Sequence, residues 1–432
     1  MIKIEKVKKY LAYVIFMLVI VVISAGINFY LNYPQDEEFS IDPQAKLDPQ
    51  KEYKIVYWDY PLLWGIEGDY EDFLQTSIQE FQQNYPNIKV EYKFLSPLQG
   101  RKKLEDSLEQ GSPPDIYNAI LGNKLFASKL QLPIDLLISK EELKRYSSAA
   151  LDSFSAQDKI WGLPHLIIPQ LWVGNESILK RTKLNLSEVY EQGWSWQEFS
   201  QTASQIANLE PQRYIIFNPQ QEKLLYQLAS TVEAETTTET GEFNQVLLSN
   251  SFKLLNNLKE NKVFPKEEAK MSEKFLASFW QGQVGIIAPV TPWLLNSIYQ
   301  QNKRYPKVEL TLLPVPMQVK KEKVLIETAG LVLFRQQEYK GDDHSKAVYK
   351  FAKFINQKQS LYLSSKLKVP PAYLPNYDAW QEKTELNNKS KDLLLNYAQQ
   401  GRAYVLFRAD NSSLKVQQKI KQEYQKFWSE ND

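Results

Sequence analysis

Aromatic and short polar side chains recur where strands of this sequence end, and the chemistry they could do is recognition of a polar small molecule. Tyr60 and Trp64 lie in the polar-aromatic loop after the strand candidate Lys54-Ile55-Val56-Tyr57-Trp58. Asn118 sits at the tip of Ile116-Tyr117-Asn118-Ala119-Ile120, and Trp293 follows the strand-like Val284-Gly285-Ile286-Ile287-Ala288 after Pro289-Val290-Thr291-Pro292. An indole face can cover the apolar C–H side of a sugar ring while neighbouring groups hydrogen-bond its hydroxyls. His165 is a polar exception, like Gln170, within the apolar run Ile160–Val173, whose two prolines forbid a regular helix. Each residue also has a plain reading: large aromatics fill cores, and an interior histidine can be a satisfied core residue.

Bond-breaking chemistry finds less support. Cysteine is absent, which removes disulfides, thiolate nucleophiles and cysteine-based metal sites together. His165 and His344 are the only histidines, too few for a histidine cage, although carboxylates alone could still hold a metal. There is no Gly-x-Ser-x-Gly, His-Glu-x-x-His or Walker pattern, and no cofactor is expected. With 51 Asp and Glu residues, a paired-carboxylate glycoside hydrolase stays open as an alternative. Lys and Arg number 52, giving a net charge of +1, so nothing argues for a nucleic-acid partner. Trp58 and Trp161 read as core, Trp280 as a helix-surface residue, and Asp115 as fixing the turn before its strand.

The elements that must position these residues read in order. Tyr10 to Ile27 run without a charge, behind Lys3, Lys6, Lys8 and Lys9, so residues 1–33 read as an N-terminal transmembrane anchor with the bulk of the chain exported. A cleaved signal peptide ending near Ser24-Ala25-Gly26 is the competing reading, and Gly26 stands where a lipoprotein would need cysteine. Residues 34–50, with Pro34, Pro43 and Pro49 among polar groups, read as a flexible tether. Strand, helix, strand, helix, strand from Lys54 to Ile120 predicts a parallel sheet with covering helices. Ser195-Trp196-Gln197-Glu198 has capping-box spacing. Further helices are predicted around Phe252-Leu255-Leu258, Phe275–Phe279 and Ala347–Ile355, a buried strand at Val284–Ala288, and alternating strand sequence at Val308–Leu312. Pro314 and Pro316 mark a second extended crossing after the one at Ile160–Val173.

In this order the motifs resemble the bacterial extracellular solute-binding protein family that includes maltose-binding protein, the receptor component of ABC importers. The resemblance is carried from residue 51 to about 380 by Phe81-Gln82-Gln83-Asn84-Tyr85-Pro86-Asn87-Ile88, Gly111-Ser112-Pro113-Pro114-Asp115-Ile116, Ile160-Trp161-Gly162-Leu163-Pro164, Trp194–Phe199, Phe279–Ile286 with Pro292-Trp293, and Leu313-Pro314-Val315-Pro316. It implies an α/β fold of two lobes, the type II periplasmic-binding-protein arrangement, with residues 51–166 and 314–366 in one lobe and 167–313 and 367–432 in the other. It further implies a small-molecule solute, a sugar or related polyol, bound between the lobes and delivered to ABC permease subunits. Trp293 matches the family's ligand-stacking tryptophan, and Tyr373, after Pro370-Pro371, resembles its C-terminal cleft segment. Ala329-Gly330 stands where the family often has two glycines, and proline and threonine replace a glycine near Trp293, so the ligand is not inherited. A sensor or envelope scaffold on the same fold is a further alternative.

Overall fold

A computed structural model describes residues 40–426, apart from 43, 61–68, 97–98, 120–128, 157, 212, 218–244, 264–272, 305–307, 318–324, 401 and 404–421. In chain order the strands are β1 (Tyr53–Asp59), β2 (Ile88–Phe94), β3 (Ile116–Ala119), β4 (Gln131–Leu132), the hairpin β5 and β6 (Ser155–Ala156, Lys159–Ile160), β7 (Leu163–Pro169), β8 (Leu171–Asn175), β9 (Tyr214–Phe217), β10 (Val284–Val290), β11 (Leu310–Pro314), β12 (Leu325–Phe334) and β13 (Arg402–Ala403).

Alternation builds the first lobe. Along β1, Tyr53, Ile55, Tyr57 and Asp59 point inward and are buried, while the residues between them are exposed or half-buried. Trp58 is one of the half-buried ones, with the Lys93 amine 5.7 Å from its ring, so it is not the core residue expected. β1 pairs in parallel with β2 and β3. The Tyr70–Asn84 helix covers it, started by Asp69, whose side chain accepts from the amides of Glu71 and Asp72, and burying Leu74, Ile78 and Phe81 on one face.

The sheet is mixed rather than parallel. β12 is antiparallel to β3, β4 and β7 and parallel to β13, so the late strand inserts between elements from the first half of the chain. The β7–β12 register slips at one place: Ala329 faces Leu166, but Gly330 faces Pro164, and His165 is the extra residue of a bulge. Pro164 has no amide hydrogen to offer the ladder. Gly330 lets the strands close over the slip, since a Cβ there would lie 2.4 Å from the Leu163 carbonyl oxygen.

The second lobe is a four-stranded sheet in the order β11-β8-β10-β9. On one face Trp172 of β8 packs edge to face with Trp194, Trp196 and Phe199, the last two on a helix started by the predicted Ser195–Glu198 capping box. The other face buries Val173, Phe279, Leu312, Trp380 and Leu394. Trp280 belongs to this second cluster at 8% exposure, not to the helix surface, because its helix ends against the sheet and both last-turn aromatics are covered.

The two sheets meet at Gln170, the single residue between β7 and β8. The expected boundary after Leu166 falls earlier, because Ile167, Ile168 and Pro169 still pair with β12. Pro314 likewise still pairs with Leu171, and Val315 is buried in the second-lobe core. After the Asp342–Leu367 helix the chain lies along β7 once more: Ile167 donates to the Pro370 carbonyl and Ala372 to that of His165, both at 3.0 Å. The Asn388–Gln400 helix then spans both lobes, with Leu393, Leu394 and Tyr397 in the second-lobe cluster and Ala398 against Ala149, Ile167 and Ala372 of the first.

Residues 42 and 44–50, expected in the tether, are fastened to the first lobe. The Asp42 amide donates to Asp342 at 2.9 Å, and Asn87 donates to the Asp48 carbonyl at 3.2 Å. Among the described residues no helix is long and apolar enough to cross a membrane, and the anchor expected over 1–33 lies outside them.

Candidate functional site

In open α/β sheets the ligand side is the carboxyl end of the strands, and here that end is organised by a buried carboxylate. Asp59, the last residue of β1, is fully buried. It accepts hydrogen bonds from the hydroxyls of Tyr57 and Tyr70, both at 2.6 Å, from Asn118 Nδ2 at 2.6 Å, from the Tyr60 amide at 2.7 Å and from Gln359 Nε2 at 3.1 Å. Burial pushes its pKa up and the donors pull it down, with burial ahead. One anion thereby ties β1, the tip of β3, the Tyr70–Asn84 helix and the Asp342–Leu367 helix together.

Asp115 does the same work at the opposite end of the sheet. It accepts from the Val56 amide at 2.8 Å, His344 Nε2 at 3.0 Å and Gln336 Nε2 at 2.8 Å. Burial alone would raise its pKa, but His344, the Val56 amide and Lys340 hold it below the usual carboxylate range. The expected turn-fixing role is thus a cross-element one, joining β1 to β3 and to the start of the long helix.

That helix runs from Asp115 towards the ligand side. Near its far end Gln359 donates to Tyr70 at 2.6 Å, and the Tyr362 hydroxyl lies 3.4 Å from the Asp69 carbonyl that it faces. The Pro292–Arg304 helix leaves the end of β10 after a single residue, so its first turns lie at the corresponding end of the second sheet. Between the two helices and the 373–385 segment is a pocket of about 780 Å³. One wall is aromatic: Phe73 and Tyr362 stack with centroids 4.0 Å apart and planes 10° apart. The second lobe brings the amides of Asn296 and Gln300, and Gln357, Ser365 and Asn376 add further hydrogen-bonding groups. Lys368 bridges the lobes at its base, donating to Asn296 Oδ1 at 2.9 Å. Among the described residues no group of His, Asp and Glu is arranged to hold a metal.

The residues singled out from sequence divide clearly. Tyr373 lines the pocket, its ring 5.2 Å from Tyr146 and 5.4 Å from the Arg145 guanidinium. Tyr60 is 2% exposed, and its hydroxyl meets that of Tyr117 at 2.6 Å, which makes it part of the wall behind the site. Asn118 is fully buried on Asp59. His165 is fully buried in the bulge with neither ring nitrogen partnered, and burial pushes its pKa down to about 3. Trp293 does not end a strand: it stands in the first turn of the Pro292–Arg304 helix, and its side chain lies outside the described part. Trp64 lies outside the described residues. Sequence reading missed Tyr362, Asn296 and Lys368, which sit on or just past helices where their spacing looks like ordinary helix surface.

Comparison with known proteins now adds to this geometry. The model of the family described as bacterial extracellular solute-binding protein matches residues 67–360. No curated protein matches the chain. Among solved structures, a sugar transporter of Rhizobium etli in an open conformation superposes with a TM-score of 0.68 at 15% identity, covering 88% of this chain and 95% of that one. An ABC substrate-binding protein of Listeria monocytogenes in complex with cycloalternan gives 0.63 at 15%, covering 88% and 95%. The maltose/maltodextrin-binding domain of Bdellovibrio bacteriovorus bound to maltotriose gives 0.59 at 16%, covering 87% and 94%. At such identities the likeness shows the two-lobed α/β fold and no more.

Proposed function

The chain belongs to the bacterial extracellular solute-binding protein family, and from that premise we propose that it is the extracytoplasmic receptor of an ABC importer, taking a carbohydrate between its lobes. The observation that carries this reading is the pocket itself, because it joins side chains of both lobes, an aromatic wall and several amides. Sugar rings offer apolar faces to the first and hydroxyls to the second. The cycloalternan and maltotriose complexes among the structural neighbours support the same solute class. Tyr373 contacts the ligand in this reading, Trp64 and Trp293 are further contacts, and Tyr60, Asn118 and His165 support them from behind. The lobes are 51–169 with 325–373, and 171–317 with most of the later helices. The segment 1–33 anchors the receptor on the outer side of the membrane, where the closed form is presented to permease subunits.

A thermal-shift screen of neutral and charged oligosaccharides, polyols and peptides tests this directly. At least one saccharide raises Tm by several degrees at a concentration of about 100 Kd, as expected from linkage. Tyr373→Ala abolishes that shift. A screen in which only peptides stabilise the protein, or none of the compounds does, removes the reading.

A further inference from the structure

The Tyr373 ring, which meets the solute in the reading above, has a partner of its own outside the pocket. The backbone around Tyr373 is held on both sides: its amide donates to Ser360 Oγ at 3.3 Å, and the Leu374 amide donates to the Arg145 carbonyl at 2.9 Å. Tyr146 faces Tyr373 in an antiparallel bridge, with the ring centroids 5.2 Å apart and the planes tilted by 59°. Backbone bonds of this kind fix where the side chain starts. They leave open how its ring turns about χ1 and χ2.

Arg145 supplies a contact that bears on the ring itself. Its guanidinium carbon lies 5.4 Å from the centre of the Tyr373 ring. The two carboxylates just before it in the chain are engaged elsewhere, Glu141 with Lys144 at 2.8 Å and Glu142 with Lys353. Among the described residues Arg145, although exposed, forms no ion pair, so the ring is what its charge meets. A cation over an aromatic face is drawn to the ring's quadrupole, and the planar fork of arginine suits that face. Tyr373 is 6% exposed and lines the pocket, whereas Arg145 is not part of the lining.

We infer that Arg145 is a positioning residue for the solute: it holds the Tyr373 ring in the orientation that lines the pocket and does not touch the solute itself. This rests on the receptor reading, in which Tyr373 is a ligand contact. A ring that is already held gives up less freedom when a sugar packs on it, and the saving appears as affinity.

Two measurements test this on the wild type, Arg145→Gln, Arg145→Lys and, as a control for charge alone, Lys144→Gln. One is calorimetry with maltotriose and cycloalternan. The other is the fluorine resonance of 3-fluorotyrosine placed at position 373 in the ligand-free protein. Arg145→Gln acts at an exposed position and keeps the carbonyl that Leu374 uses, so the fold is retained, and unchanged circular dichroism verifies this. At least one saccharide binds the wild type, and Arg145→Gln weakens it about 2- to 5-fold, the worth of one exposed cation–π contact. Arg145→Lys keeps the charge and recovers more than half of that loss on a logarithmic scale. The resonance at 373 moves or broadens in Arg145→Gln and stays close to its wild-type position in Arg145→Lys, while Lys144→Gln alters neither binding nor resonance. Wild-type affinity in Arg145→Gln, weakened binding with an unmoved resonance, or a lysine variant no better than the glutamine one overturns the inference and spares the receptor reading. If neither saccharide binds the wild type, the receptor reading fails and this inference with it.

Discussion

Asp59 is a charge without a countercharge: five donors surround it, none of them cationic, and four separate parts of the first lobe meet there. Asp59→Asn keeps the shape but turns one acceptor into an amide donor facing donors. It therefore costs about 1–3 kcal/mol, the penalty for stranding buried polar groups, measurable as a lowered urea midpoint with an unchanged slope. His165 is the converse, a neutral ring with no partner at all. Its folded pKa of about 3 lies below the roughly 6.5 of an unfolded histidine. The unfolded chain takes up this proton first, so stability is whole above pH about 6.5 and drains away as pH falls towards about 3. At pH 5 the loss is about 2 kcal/mol. In His165→Leu, the drop in unfolding free energy between pH 7 and pH 5 shrinks by about that amount, and an unchanged drop would place the acid sensitivity elsewhere.

At the scale of elements, the bulge that houses His165 depends on the residue across from it. In Gly330→Ala the new methyl would sit 2.4 Å from the Leu163 oxygen and 2.8 Å from Pro164 Cα, both backbone atoms that move only if β7 moves. The substitution should cost about 1–3 kcal/mol or more, as other steric insertions into packed cores do, and amide exchange should rise first in β7 and β12. The Ile160–Val173 crossing and the capped helix at Ser195 were legible because proline placement and cap spacing are local signals. The insertion of β12 among β3, β4 and β7 was not, since pairing partners separated by more than 150 positions leave no periodic trace. For the same reason the aromatic candidates were only partly placed. Alternation tells which face Tyr60 or Asn118 takes but not that Asp59 draws them behind the site, and the pocket's second wall is assembled from helix residues whose spacing resembles that of any amphipathic surface.

For the whole molecule, the question is what a ligand does to the angle between the sheets. The strand pair β7–β8 changes sheets across Gln170 alone, and the return segment Lys368–Ala372 is hydrogen-bonded along β7, so it travels with the first lobe. Rotation about Gln170 is then resisted by contacts that reach from one lobe to the other, among them Lys368–Asn296 and the packing of the Asn388–Gln400 helix on both lobes. A ligand touching both walls gains contacts only when they approach, and this difference in affinity is what can shift the population towards the closed form. Because the chain has no cysteine, Glu91→Cys in β2 and Gln201→Cys in the Trp196–Ala207 helix, both exposed, can be labelled without background. Saturating saccharide should raise energy transfer between dyes at these positions. Lys368→Gly should lower the transfer before any ligand is added, because one of the contacts between the lobes is gone. Binding seen by calorimetry with unchanged transfer would mean that the solute occupies the pocket without drawing the lobes together, and recognition by a membrane partner would then have to rest on something other than closure.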